Sequence, residues 1–124
     1  MRPFWCILSA CTVFHALAED KLAFVYELVR HGARAPVMSA SDPGKFDVPG
    51  SMLTRSGMRQ RWLVGRYNRK RYVERQGLLD DEYNPNQMWV QSTPVLRTLQ
   101  SSYSEMLGMY PPKRPAARVG IEIG

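Results

Sequence analysis

The chain has 124 residues, with 17 Lys and Arg against 11 Asp and Glu, two histidines and two cysteines, for a net charge of +6. One modest domain is the most that this length supports. Both cysteines and one histidine fall in the first 15 residues, so a disulfide framework or a Cys/His zinc site is excluded from the remainder if that segment is removed.

Removal of that segment is the expectation. Arg2 precedes an apolar stretch from Phe4 to Leu17, and Ala16-Leu17-Ala18 is a small-x-small cleavage site. The pattern is that of a secretory signal peptide over residues 1–18, too short for a membrane span. Cleavage after Ala18 takes Cys6, Cys11 and His15 with it and lowers the net charge from +6 to +5 through loss of Arg2. His31 is then the one ring nitrogen available for nucleophilic chemistry in residues 19–124.

Leu22-Ala23-Phe24-Val25-Tyr26, continued by Leu28 and Val29, is short, aromatic and β-branched, which predicts a buried strand. It runs into Arg30-His31-Gly32-Ala33-Arg34-Ala35-Pro36. An imidazole between two guanidiniums at a strand's carboxyl end suits an anion. Arg presents a planar fork of donors matched to phosphate oxygens, and a neutral imidazole can attack phosphorus to form a covalent intermediate. Neighbouring positive charge favours the neutral ring. Gly32 would allow a close approach to the ligand or a positive φ, and Pro36 stiffens the loop exit.

Arg-His-Gly-x-Arg-x-Pro resembles the signature of the histidine acid phosphatases, a branch of the phosphoglycerate-mutase-like superfamily. The resemblance implies an α/β fold, of which residues 19–124 would form the N-terminal part: three α/β/α layers around a mainly parallel sheet. It implies that His31 is the phosphorylated nucleophile, that Arg30 and Arg34 bind phosphate, and that no metal or organic cofactor is used.

Residues 37–50 are Pro- and Gly-rich and predict a loop. A helix is predicted over 55–76, with Thr54 as N-cap and Gly77 as its stop. Met58, Trp62, Gly65 and Arg69 share one face, and Gly65 suggests close packing against the sheet. Leu53-Thr54-x-x-Gly57 is also similar to the family. Arg55, Arg59, Arg61, Arg66, Arg69, Lys70, Arg71 and Arg75 crowd this helix. A solvated face whose stems cover apolar surface explains them better than a nucleic-acid or membrane patch. No aromatic-interleaved motif accompanies the charge, and Asp80-Asp81-Glu82 follows closely.

After an acidic connection over 78–86, Gln87 to Gln91 predicts a second strand. Thr93 as N-cap and Pro94 at the first position then predict a helix with Leu96, Leu99, Tyr103 and Met106 or Leu107 buried. Arg97 lies in its first turn, where an anion is favoured. The family pattern there is Arg-Ser-Thr-Asp-x-x-Arg, and its last Arg, matching Arg97, is a third phosphate ligand. Gln91 and Pro94 depart from that pattern, which bears on local ion pairing rather than on the ligand. Val119, Ile121 and Ile123 alternate with Gly120 and Glu122 as the start of a further strand.

The family draws its leaving-group proton from a His-Asp pair late in the chain, and residues 19–124 hold no second histidine. The expectation is therefore an N-terminal fragment of a secreted or lysosomal acid phosphatase acting on phosphate monoesters. No nucleic acid is expected as a partner, and there is no membrane span within the chain. A non-catalytic phosphate- or polyanion-binding remnant and, further off, a basic nucleic-acid-binding module are the alternatives.

Overall fold

The computed structural model describes residues 20–37 and 46–113. The expected signal peptide, most of the loop over 37–50 and the expected strand around Val119 to Ile123 lie outside these residues. Two helices organise the rest: α1, Arg55–Asn68, prolonged by a wider π-turned segment, Arg69–Arg75; and α2, Leu96–Met109.

The start of α1 is as its sequence predicts. Thr54 is extended (φ −81°, ψ 163°), and its hydroxyl accepts from the Gly57 amide at 3.1 Å. Such a cap is worth about 1 kcal/mol. From Arg69 onward the backbone widens. Gln76 N donates to Arg71 O, five residues back, and Gly77 at φ +56° ends the helix where a side chain would be strained. The widening begins at a residue bound from several sides. The Arg69 guanidinium pairs with Glu74 and Asp81 and donates to the carbonyl of Met109 at 3.0 Å.

Gly65 packs closely, as expected, but against α2 rather than a sheet. A Cβ at Gly65 would lie 1.9 Å from the carbonyl oxygen of Glu105, and one at Gly108 would lie 2.2 Å from that of Trp62. Helix axes can approach this far only where side chains are absent. The expected apolar stripe of α2 is corrected for the same reason. Leu96 is 60% exposed, and Tyr103 and Leu107 also face outward; Ser101, Met106, Gly108 and Met109 are the buried positions. Large apolar side chains do not fit where Gly65 and Gly108 bring the two backbones together; of the expected stripe, Met106 is buried, in the core further along α2. The start of α2 is corrected too: Val95 is the capping residue and bears no side-chain cap. The Thr93 hydroxyl meets that of Thr98 at 3.0 Å instead of a helix amide.

The helix seam is polar. Arg61 forms an ion pair with Glu105, both largely withdrawn from solvent. Asn68 Nδ2 donates to Glu27 at 2.9 Å and to Glu105 at 3.3 Å. Arg61 and Arg69 are thus turned inward, in contrast to the solvated face expected of the basic helix. Most of Glu27 is open to solvent, but its carboxylate lies over this seam. Burial, and then the charge of Glu105, raise its pKa above the usual 4.5, against the Asn68 hydrogen bond and the charges of Arg61 and Arg71. The folded state therefore holds this proton more tightly than the unfolded chain, and the stability so gained is present in acid and lost as pH rises through the raised pKa. Glu27→Gln keeps an acceptor for Asn68 without the charge. It is expected to match the wild type in acid and exceed it at pH 7, by less than about 1 kcal/mol because the site is partly screened. Thermal melts of both proteins at the two pH values check this; equal stability at pH 7 refutes it.

Met106, Met109 and Tyr110 form a small core at the far end of α2, with Tyr72, Leu79, Tyr83, Met88 and Val90 packed around it. The Tyr83 ring meets Tyr110 edge-on at 5.7 Å. Met88 and Val90 point inward and Trp89 outward, the alternation expected of a strand over 87–91, yet no ladder forms there. The same holds for residues 22–29, where Leu28 is 87% exposed. A strand requires a partner to satisfy its amides and carbonyls. Among the described residues one bridge is formed, antiparallel, between Arg34 and Leu53. Among them too, no helix is long and apolar enough to cross a membrane.

Candidate active site

The heptapeptide is held as a hairpin-like arm against residues 51–54. Ala35 N donates to Met52 O at 2.9 Å, Ser51 N to Pro36 O at 2.9 Å, and Thr54 N to Ala33 O at 3.0 Å. Ala35 and Leu53, both buried, lie behind it. Ser51 adopts φ +68°, a left-handed conformation costing a non-glycine residue of order 1 kcal/mol or more. That conformation aims its amide at the Ala35 and Pro36 carbonyls while its hydroxyl accepts from Arg97 Nη1 at 2.9 Å.

Gly32 permits a close approach, though not of the kind expected. It has no positive φ, and its neighbour is Gly57 in the first turn of α1: a Cβ at Gly32 would lie 2.3 Å from Gly57 O, and one at Gly57 2.1 Å from Ala33 O. Two glycines therefore seat the loop on the helix N-terminus.

His31 is half-buried, and its Nδ1 lies 2.8 Å from the carbonyl oxygen of Gly32. A carbonyl can only accept, so Nδ1 is the donor, and in the neutral ring the lone pair is on Nε2. The ring stands in an open cleft of about 490 Å³ lined by Arg30, His31, Gly32, Ala33, Arg34, Pro36, Phe46 and Gln60. Among the described residues two guanidiniums and no carboxylate line it, so the cleft favours an anion. Arg34 also donates to Ala35 O at 3.0 Å, which turns its side chain back along the loop.

The structure thus brings together Arg30, His31 and Arg34. Arg97 is not in the cleft wall. It is tied to the same loop through Ser51 and, at its carbonyl, through Ser101: Ser101 Oγ donates to Arg97 O at 2.7 Å and accepts from Gly32 N at 3.1 Å. Its Nε is buried with no partner among the described residues. The sequence reading passed over Gln60, Ser51 and Ser101. Ser101 follows Arg97 by one helical turn, so its presence on the loop-facing side was open to inference. Gln60 and Ser51 carry no comparable signal.

The histidine phosphatase superfamily (branch 2) matches residues 41–121, a stretch that begins after the heptapeptide and includes Gln60, Arg97 and Ser101. The chain belongs to that superfamily. Lysosomal acid phosphatase of Xenopus laevis is 39% identical over 104 residues, covering 80% of this chain and 23% of that protein. Prostatic acid phosphatase of Homo sapiens is 35% identical over 102 residues, covering 79% and 26%. In solved structures, the phytase of Hafnia alvei in complex with tartrate superposes with a TM-score of 0.62 at 23% identity, over 76% of this chain and 24% of the other. The phytase of Citrobacter braakii gives 0.58 at 26% identity, over 65% and 23%. The family and these neighbours place the chain in an α/β fold. The chain spans about a quarter of the length of the curated relatives it matches.

Proposed function

We propose that this chain is the N-terminal part of an acid phosphatase that hydrolyses phosphate monoesters through a phosphohistidine at His31. The observation that carries the reading is the hydrogen bond from His31 Nδ1 to Gly32 O, which in the neutral ring leaves the lone pair on Nε2, beside two arginines in a cleft that no carboxylate of the described residues lines.

Nε2 attacks phosphorus, the P–O bond to the alcohol breaks, and Nε2 carries the phosphoryl group until water attacks and releases inorganic phosphate. Arg30 and Arg34 hold the non-bridging oxygens and stabilise the charge gathering on them. Arg97 adds a third cation from the same loop network. The departing alkoxide needs a proton. His31 is the sole histidine of the described residues, so this role falls to a His-Asp pair beyond residue 124, as the resemblance implies. On this reading the two helices pack on one side of a mainly parallel sheet, and the apolar segments 22–29 and 87–91 enter it as strands, in a three-layer α/β/α domain. Removal of residues 1–18 would send the protein along the secretory route to the lysosome or the medium; the relative from Xenopus laevis is named a lysosomal acid phosphatase.

The test is turnover of an aryl phosphate by the complete protein. Multiple turnover with release of inorganic phosphate is expected. Saturable phosphate binding with no turnover would establish the non-catalytic remnant instead and overturn the proposal.

A further inference from the structure

The peptide between Gly32 and Ala33 is held at both ends. Its carbonyl receives the His31 Nδ1 proton at 2.8 Å, and its N–H, on Ala33, donates to Gln60 Oε1 at 3.0 Å. No peptide bond in the described residues is cis, so the carbonyl and N–H of this unit point in opposite directions. Fixing one fixes the other. The preceding peptide is held separately, by the buried hydroxyl of Ser101 on the Gly32 amide.

The orientation matters because the Gly32–Ala33 unit offers His31 either of two faces. With the carbonyl toward the ring, Nδ1 must be the donor and Nε2 carries the lone pair. Were the peptide flipped, its N–H would face Nδ1, the ring would place its proton on Nε2, and the nucleophile would be lost. Flipping this plane rotates ψ of Gly32 and φ of Ala33, and Gly32 has no Cβ to hinder its share of that rotation.

We infer that Gln60 is a positioning residue that sets the tautomer of His31 by holding the Gly32–Ala33 peptide with its carbonyl toward the ring. It acts through that peptide rather than on phosphorus. The kinetic part rests on the phosphatase reading; the tautomer part does not, because it needs no substrate.

The experiment is nitrogen-15 NMR of the histidine rings in the complete protein, above the pH at which they are charged, with the His31 signals identified by their loss in His31→Asn. The wild type is expected to show a protonated Nδ1 and a bare Nε2. Gln60→Met, of similar length but without an acceptor, is expected to shift a measurable fraction of the proton to Nε2. It should lower kcat by about ten- to a hundredfold, the scale seen when a metal-bound imidazole loses its outer hydrogen-bond partner, with little change in KM. Gln60→Glu, which can only accept from Ala33, is expected to restore the Nδ1 proton, whatever its charge does to phosphate binding. Gln60 is exposed, so neither change opens the core. Should Gln60→Met lose its cooperative melt, Gln60→Asn, one methylene short of Ala33, takes its place. A wild-type tautomer pattern in the Met or Asn variant, or failure of Glu to restore it, would overturn the inference even in an active phosphatase. Absence of turnover in the wild type would overturn the phosphatase reading and leave the tautomer result standing.

Discussion

His31→Ala is expected to abolish the covalent phosphoenzyme and reduce turnover of phosphate monoesters to background. No other side chain lining the cleft can take the place of a neutral ring nitrogen: Arg30 and Arg34 stay charged at any working pH, and the Gln60 amide nitrogen has no available lone pair. The arginines act differently. Arg30→Ala removes charge and donors while leaving Nε2 in place, so it is expected to leave a slow enzyme, down by about a hundred- to a thousandfold, that still forms the intermediate. Acid-quench trapping with a labelled phosphate ester, followed by mapping of the label, separates the two. Label on a residue other than His31, or undiminished labelling in His31→Ala, would end the proposed mechanism.

A large structural effect on the site is expected at Gly57. Its added Cβ would lie 2.1 Å from Ala33 O, 2.8 Å from Ala33 N and 2.8 Å from Leu53 Cδ1. Ala33 O accepts from both Thr54 N and Thr54 Oγ1, so it cannot withdraw without breaking the bonds that join the loop to the N-cap. Helix propensity acts in the opposite direction, since alanine gains up to about 1 kcal/mol over glycine inside a helix. Overpacking of about 1–3 kcal/mol outweighs that gain. Gly57→Ala should therefore lower the melting temperature of the complete protein. It should also move His31, and a displacement of about 1 Å in a reacting group can cost about a hundredfold in rate. A melting temperature equal to or above the wild type would show that propensity wins and that the two glycines do not seat the loop.

Several features were legible in the order of residues because their causes are local. Thr54 caps α1 and Gly77 ends it because a hydroxyl three residues ahead of an amide, and a residue without a Cβ, act within one turn of chain. The Arg-His-Gly-x-Arg-x-Pro heptapeptide marked the cleft, since Arg30, His31 and Arg34 are brought to one place by a single loop. What remained hidden depends on which segments meet. The apolar runs at 22–29 and 87–91 have strand composition, but a ladder is made by a partner, and among the described residues none pairs with them. Leu96, Tyr103 and Leu107 have the spacing of a buried stripe, yet Gly65 and Gly108 set backbone against backbone, and these three side chains face outward while Met106 is buried.

The chain by itself determined the helices' extents to within a few residues and the loop that carries Arg30, His31 and Arg34 together, since these follow from propensity, capping and adjacency along the chain. Tertiary structure alone decided that Arg61 and Arg69 turn inward, that Gly32 faces Gly57, and that Gln60 and Ser101 hold the two peptides flanking Gly32. Each of these joins residues 25 or more positions apart, or turns a side chain toward a surface that exists only once the helices have packed, and no local pattern records such a meeting.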